Sequence, residues 1–393
     1  MNWLKQQVAN VAGTAEPIYG PSALRSVAVQ TKEQPYTELT RKDFTWAALD
    51  HTNVETQIWY LMADNGHFAL AQIIYNNIGG IRTTVQFNTK LFYPNGSRPP
   101  IWSSDPLDNH GFAEDQVSFF ADGVAVDLNE AGDSYTVKSA VNEATLVNIK
   151  VTRTAPAFHA GKDGKSYYGT DLSNPWGTMH HNFWPRCVCE GEIMTKDGPI
   201  DFKGKALFIH ALQGMKPHHA GIPIQAIQLD QTNKSVAAKW KFMNFQSPKY
   251  SAVMMEYTTP PSYGSSIVNV GGVAIDGQIL VAGCDNSYVH TTTREDPDWP
   301  EPASVKLEWN GTTKDGKLIK AELSGALGER LDKVDVLAEV PGFVKALVGG
   351  VVGTRPFIYQ YSPKQHLTLK VTVDGAEESE EGEIFSEATF ISE

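Results

Sequence analysis

Short apolar runs recur along the chain with a period of two. In Leu367-Thr368-Leu369-Lys370-Val371-Thr372-Val373, two Leu and two Val share one face, the mark of a half-buried strand. Runs rich in β-branched and aromatic residues extend over Gln57 to Leu61, Phe68 to Tyr75, Thr83 to Phe87, Ala206 to Ala211, Ala252 to Tyr257, Val305 to Trp309 and Phe357 to Tyr361. Tight-turn pairs lie between them: Asn65-Gly66, Asn95-Gly96, Asp122-Gly123, Asp163-Gly164, Asp197-Gly198, Asp276-Gly277, Asn310-Gly311, Asp315-Gly316 and Asp374-Gly375. Asn-Gly and Asp-Gly tolerate the positive φ that two-residue hairpins demand. This pattern predicts an antiparallel, all-β chain. Its sheet edges need protection, and curling into barrels provides it. Two consecutive barrels of roughly 150 to 200 residues account for the length, with a boundary near Met215 to Pro217.

Helix is scarce. One candidate runs from Pro341 to about Val351, with apolar Phe343, Val344, Leu347, Val348 and Val351. Pro at its start and Gly349-Gly350 near its end suit a helix packed on a barrel wall or a lid over a mouth. The other opens the chain. At 100° per residue, Met1, Leu4, Val8, Val11, Ala12 and Ala15 share one narrow face, and Trp3 sits toward its edge. Pro17 ends the helix, leaving residues 1–20 as a helix and linker, 21–215 as the first β domain and 216–393 as the second. A fifteen-residue helix is marginal in water and needs an apolar surface: a groove on its own protein, another protein or a membrane interface. With Lys5 as its one basic side chain, membrane binding rests on burial worth about 1.5 to 3 kcal/mol per large side chain and is reversible.

Composition narrows the function classes. Of 393 residues, 41% are hydrophobic and 20% charged, a globular balance. Lys and Arg number 33 against 45 Asp and Glu, a net charge of -12 that argues against nucleic acid as a partner. Eight of the acidic residues fall between Asp374 and Glu393, where no basic residue occurs, so -8 of the -12 belongs to that segment. Glu377 to Glu383 reads as a solvated acidic tail, and Ile384 to Ile391 as a possible closing strand. Three cysteines support no disulfide framework, and the N-terminus lacks the pattern of a secretory signal. A cytosolic location follows as the expectation.

Catalytic and metal chemistry find little support. His180-His181 and His218-His219 are adjacent pairs that point to opposite faces of a strand, and no zinc spacing occurs, so no metal is expected. Cys187 and Cys189, two apart, read as small core residues. No phosphate loop or nucleophile elbow appears, and no catalytic residue or cofactor is assigned. Aromatic clusters at Trp176, Phe183-Trp184 and Trp240-Lys241-Phe242 are either core plugs or walls of an apolar cavity.

The chain resembles the fungal survival factor 1 family. The resemblance rests on the amphipathic start leading into Ala15-Glu16-Pro17-Ile18-Tyr19-Gly20, on His181-Asn182-Phe183-Trp184-Pro185-Arg186 and on Lys216-Pro217-His218-His219-Ala220. It continues through Asp335-Val336-Leu337-Ala338-Glu339-Val340-Pro341 and Pro356-Phe357-Ile358-Tyr359-Gln360-Tyr361. It implies two consecutive lipocalin-like antiparallel β-barrels and a non-enzymatic carrier of ceramide from the endoplasmic reticulum to the Golgi, linked to oxidative-stress survival. The ligand would lie in a β-barrel cavity. The opening helix would dock at membranes through Met1, Trp3, Leu4, Val8 and Val11, although Asn2 stands where the family carries an apolar residue. The implied locations are the cytoplasm, the periphery of the Golgi and endoplasmic reticulum, and the nucleus. Trp176, His181, Phe183, Trp184, His218 and His219 are the candidate ligand-binding residues. Two other classes remain open: a hydratase-like enzyme on an apolar lipid or isoprenoid, using His180, His181 or Asp171, and a stress-response scaffold.

Overall fold

The computed structural model describes residues 18–78, 80, 82–215, 238–336 and 356–391. The opening helix, His218, His219 and the segment from Pro341 to Val351 lie outside these residues. Helix among the described residues is confined to short 3-10 turns and the single residue Val336, and the chain is otherwise strand, turn and loop, as the period-two pattern predicts. Every apolar run named above falls within a strand.

The strands form two antiparallel sheets, of 16 and 11 strands among the described residues. The first runs in space from Ile101–Pro106 through Arg82–Phe92, Phe68–Ile78, Asn53–Ala63, Gly204–Met215, Gly177–Thr195, Leu146–Arg153, Ser134–Ser139, Val124–Leu128 and Phe119–Ala121 to Gly111–Phe112. Its two extreme strands are neighbours in sequence, so the sheet curls upon itself. Asn142 Nδ2 donating to Asp105 Oδ1 at 3.1 Å ties the curl across. The second runs from Gln278–Gly283 through Ile267–Ile275, Ser251–Thr258, Lys239–Gln246, Ala376–Phe390, Leu367–Val373, Leu318–Ala326 and Glu301–Thr312 to Asn286–Arg294, and curls in the same way. Arg330–Asp335 and Phe357–Tyr361 extend it beside the end of Ala376–Phe390.

Two readings of the sequence change here. Asn310-Gly311 does not turn the chain; it lies inside Glu301–Thr312, with both residues paired to Leu318–Ala326. The acidic tail is not loose either. Its residues open the strand Ala376–Phe390, whose first half pairs with Leu367–Val373 and whose second half pairs with Lys239–Gln246. The glutamates are exposed or half-buried, but along both faces of a paired strand. Gly382 stands where the strand changes partners, and a Cβ there would lie 2.5 Å from the Gln246 carbonyl oxygen.

Apolar side chains gather in three layers. One fills the curl of the first sheet, one the curl of the second, and one lies between the sheets. Period-two alternation explains this: on Asn53–Ala63, Trp59 and Leu61 face into the first curl, whereas Ile58, Tyr60 and Met62 face the second sheet.

Candidate ligand site between the sheets

Both curls are filled. In the first, Phe44, Trp46, Trp59, Tyr135, Trp184 and Phe208 are fully buried, with Trp59 stacked on Phe208 at 5.2 Å. Phe44 and Trp46 arrive on a turn that follows Thr40, where Asp43 closes a capping box. Beyond them, the Glu55 carboxylate accepts the backbone N–H groups of Ala47 and Ala48, each at 2.8 Å, and pairs with His210 at 2.8 Å. The segment is thereby fixed as a plug. In the second curl, Met243, Phe245, Met254, Trp309, Tyr359 and Tyr361 are buried. The described residues also line a surface depression of about 610 Å³, but its walls include Arg294, Glu295 and Asp296, which suit no alkyl chain. Among the described residues, aromatic rings thus occupy the centres of both curls.

The layer between the sheets is continuous and rich in rings. Tyr60 stacks on Phe242 at 4.8 Å, Phe68 on Phe385 at 4.2 Å and Phe158 on Phe183 at 5.3 Å. It reaches the surface at one edge, where Tyr19 lies 5.1 Å from Trp176 and 5.3 Å from Tyr263, and Trp176 Nε1 donates to the Tyr263 hydroxyl at 3.3 Å. Trp240 stands beside them, 5.1 Å from Tyr257 and 5.8 Å from His181. Backbone hydrogen bonds and strand pairs also gather along this edge. Tyr19 donates to Ser262 O, Met215 pairs with Gly177, Ala238 donates to Thr258 O, and Phe357 pairs with Phe390, itself the partner of Lys239.

Of the ligand-binding candidates, Trp176, His181 and Phe183 come together in this layer. Trp184 faces the other way, into the first curl. Burial pushes the His181 imidazole down to about 4, so it is neutral at physiological pH. Asp171 is exposed and accepts from Ser173, and His180 lies on the opposite face of its strand, 5.5 Å from His159. No acid–base pair forms among these three. Cys187 and Cys189 are buried in the first curl, where burial raises both thiols, Cys189 to about 12.

Sequence reasoning missed a polar cluster within the layer. Lys90, with a side chain 2% exposed, donates to Asp332 Oδ2 at 2.5 Å and to Gln360 Oε1 at 2.7 Å. Gln360 Nε2 donates to Glu387 Oε1 at 2.5 Å, and the Tyr60 hydroxyl donates to Glu387 Oε2 at 3.2 Å. Burial raises the Glu387 carboxyl, while Gln360, Lys90 and Tyr60 pull it back. Burial also lifts the Tyr60 phenol well above its usual value, with Glu387 adding to the effect. The available signal was a charge at a core-facing position: Lys90 shares a face with Phe92, and Glu387 with Phe385.

Comparison with known proteins covers the whole chain. The model of the Svf1 family matches residues 1–222 and again 220–392. The ceramide-binding protein svf-1 of Neurospora crassa is 56% identical over 393 residues, covering 99% of each chain. The ceramide-binding protein svf1 of Aspergillus fumigatus is 55% identical over 412 residues, covering 100% of each, and that of Schizosaccharomyces pombe is 38% identical over 398 residues, covering 99% of each. Two solved structures are alike in fold. An AttH protein of Nitrosomonas europaea has a TM-score of 0.53 at 12% identity, covering 89% of this chain and 96% of its own. Kievitone hydratase from Nectria haematococca has a TM-score of 0.51 at 10% identity, covering 96% and 99%.

Proposed function

The chain belongs to the Svf1 family, and on that premise we propose that it binds ceramide, without chemical turnover, between its two sheets. The observation that carries the reading is identity of 55 to 56% over full length with proteins named as ceramide-binding. Geometry supports the location. An alkyl chain gains about 0.8 kcal/mol per buried methylene, and the layer between the sheets is apolar, continuous and reaches the surface at the Tyr19–Trp176–Tyr263 edge. Entry requires the rings of that edge to move apart.

The reading extends to transport. A carrier between the endoplasmic reticulum and the Golgi must dock reversibly, and the spacing of Met1, Leu4, Val8 and Val11, with Trp3 at the rim, supports weak insertion of the opening segment. A role in oxidative-stress survival would follow from ceramide balance. The test is to incubate purified full-length protein with ceramide-containing vesicles, separate the two and measure protein-bound lipid by mass spectrometry. Ceramide should be retained at near-stoichiometric amounts and recovered unchanged, and Trp176→Ala and Trp240→Ala should retain severalfold less. Wild-type protein that retains no ceramide would overturn the reading. For docking, Leu4→Asp with Val8→Asp should abolish flotation with vesicles at an unchanged melting temperature.

A further inference from the structure

The polar cluster that interrupts the apolar layer draws on both sheets. Tyr60 and Lys90 come from the first, Gln360 and Glu387 from the second, and the rings of Phe68, Phe92, Phe242 and Phe385 surround them. Packing alone would favour apolar residues here, because a buried ionic network gives little net stability over a hydrophobic one. The cluster also keeps unused hydrogen-bonding capacity. The Lys90 ammonium uses two of its three donors, on Asp332 and Gln360, and its nitrogen stands 5.2 Å from the Phe92 ring centre. The Tyr60 hydroxyl donates to Glu387 and retains its lone pairs as acceptors. Each Glu387 oxygen accepts one hydrogen bond and can accept a second. One donor and several acceptors thus meet inside a ring-lined apolar layer. The outer side is accessible through Trp102, 37% exposed, and the Asp332 carboxylate.

Charge decides which head group fits. One ammonium and two carboxylates leave the cluster with an excess of negative charge, in surroundings where water screens poorly. A phosphate monoester would add a charge of about -1.5 to -2 beside Glu387. Hydroxyls and an amide add none, and they can donate to Glu387 and Tyr60 while an amide carbonyl accepts from Lys90.

Building on the ceramide reading above, we propose that Tyr60, Lys90, Gln360 and Glu387 are the receptor for the polar head of the bound lipid. They select an uncharged, hydroxylated amide head over a phosphorylated one.

The experiment uses full-length wild type, Glu387→Gln and Tyr60→Phe, each with phosphatidylcholine vesicles carrying either ceramide or ceramide 1-phosphate at equal mole fraction. Protein-bound lipid is measured by mass spectrometry, and melting temperature confirms the fold. Wild type should favour ceramide by at least about tenfold, and Glu387→Gln, which removes the charge but keeps a hydrogen-bonding group, should narrow that ratio about tenfold by gaining ceramide 1-phosphate. Tyr60→Phe removes a single oxygen and should lower ceramide retention about fivefold with the ratio preserved. It serves as the readout if Glu387→Gln does not fold. Wild type that takes both lipids equally, or folded variants that match wild type in ratio and retention, would overturn the receptor. Wild type that retains neither lipid would overturn ceramide binding instead.

Discussion

Arg186 has no exposed surface. Its guanidinium donates to Asp276 Oδ1 at 2.7 Å, to the Ser247 and Pro248 carbonyls at 3.1 and 2.5 Å, and to Ser251 Oγ at 3.0 Å. Those partners are two turns of the second sheet, so this one side chain from the first sheet fastens both. Because Asp276 itself is largely exposed, the stabilisation lies mainly in the buried carbonyls. Arg186→Met should cost about 2 to 4 kcal/mol, read by urea unfolding, because it leaves buried acceptors unpaired. His181 supplies a pH test. Its folded pKa of about 4 lies below the unfolded value, so between those values the unfolded chain binds more protons and stability falls as pH drops from about 6.5 to 4. His181→Phe should flatten that fall by on the order of 2 kcal/mol in melts across the range. Asp296 works at lower pH. Burial raises its carboxyl, but the Lys333 ammonium, the Asp298 backbone N–H and the Tyr359 hydroxyl together hold it below the usual carboxylate range. Its contribution is present above about pH 4 and lost below it, so Lys333→Met should show a shallower acid-side loss than wild type.

The strand Gly177–Thr195 shows how far local pattern can be read. Two residues, Pro185 and Arg186, oppose Leu207 alone, a bulge between the Trp184–Phe208 and Cys187–Ala206 pairs. Without it Arg186 would follow Trp184 into the first curl; with it Arg186 turns toward the second sheet and Cys187 takes the inward place. Proline inside an otherwise strand-like run signals such a break, but no rule of alternation says which side chain the bulge expels. Turn pairs were legible where the flanking runs were of equal sense, as at Asp374-Gly375 between Leu367–Val373 and Ala376–Phe390. Asn310-Gly311 misled because a long ladder partner outweighs a local turn preference. At Gly272, a Cβ would stand 2.9 Å from Phe158 Cζ, an atom of the other sheet. Gly272→Val should therefore destabilise by about 1 to 3 kcal/mol through overpacking, measured by thermal melts. Removal of residues 374–393 takes away the strand that joins Leu367–Val373 to Lys239–Gln246, and should leave the second sheet unfolded by circular dichroism.

The two sheets share one apolar layer and one set of ionic ties, so they should unfold together. The full chain is expected to show a single calorimetric transition, and residues 238–393 expressed alone should aggregate, because Phe242, Val253, Tyr257 and Phe385 would lose their cover. Two separated transitions would show that the layer is only a loose contact. The sequence by itself determined the strand class, most turns, the family and the aromatic residues that had to be buried somewhere, because alternation and turn chemistry are properties of neighbours along the chain. It could not assign those aromatics to one of three layers. Tertiary structure decided that, placing Trp184 in a filled curl and Phe183 next to it between the sheets, and bringing Lys90 to Gln360 across 270 positions. The physical reason is that a strand has two faces and both are apolar here. Which face meets a second sheet depends on how each sheet curls, and that is set by pairings between distant residues.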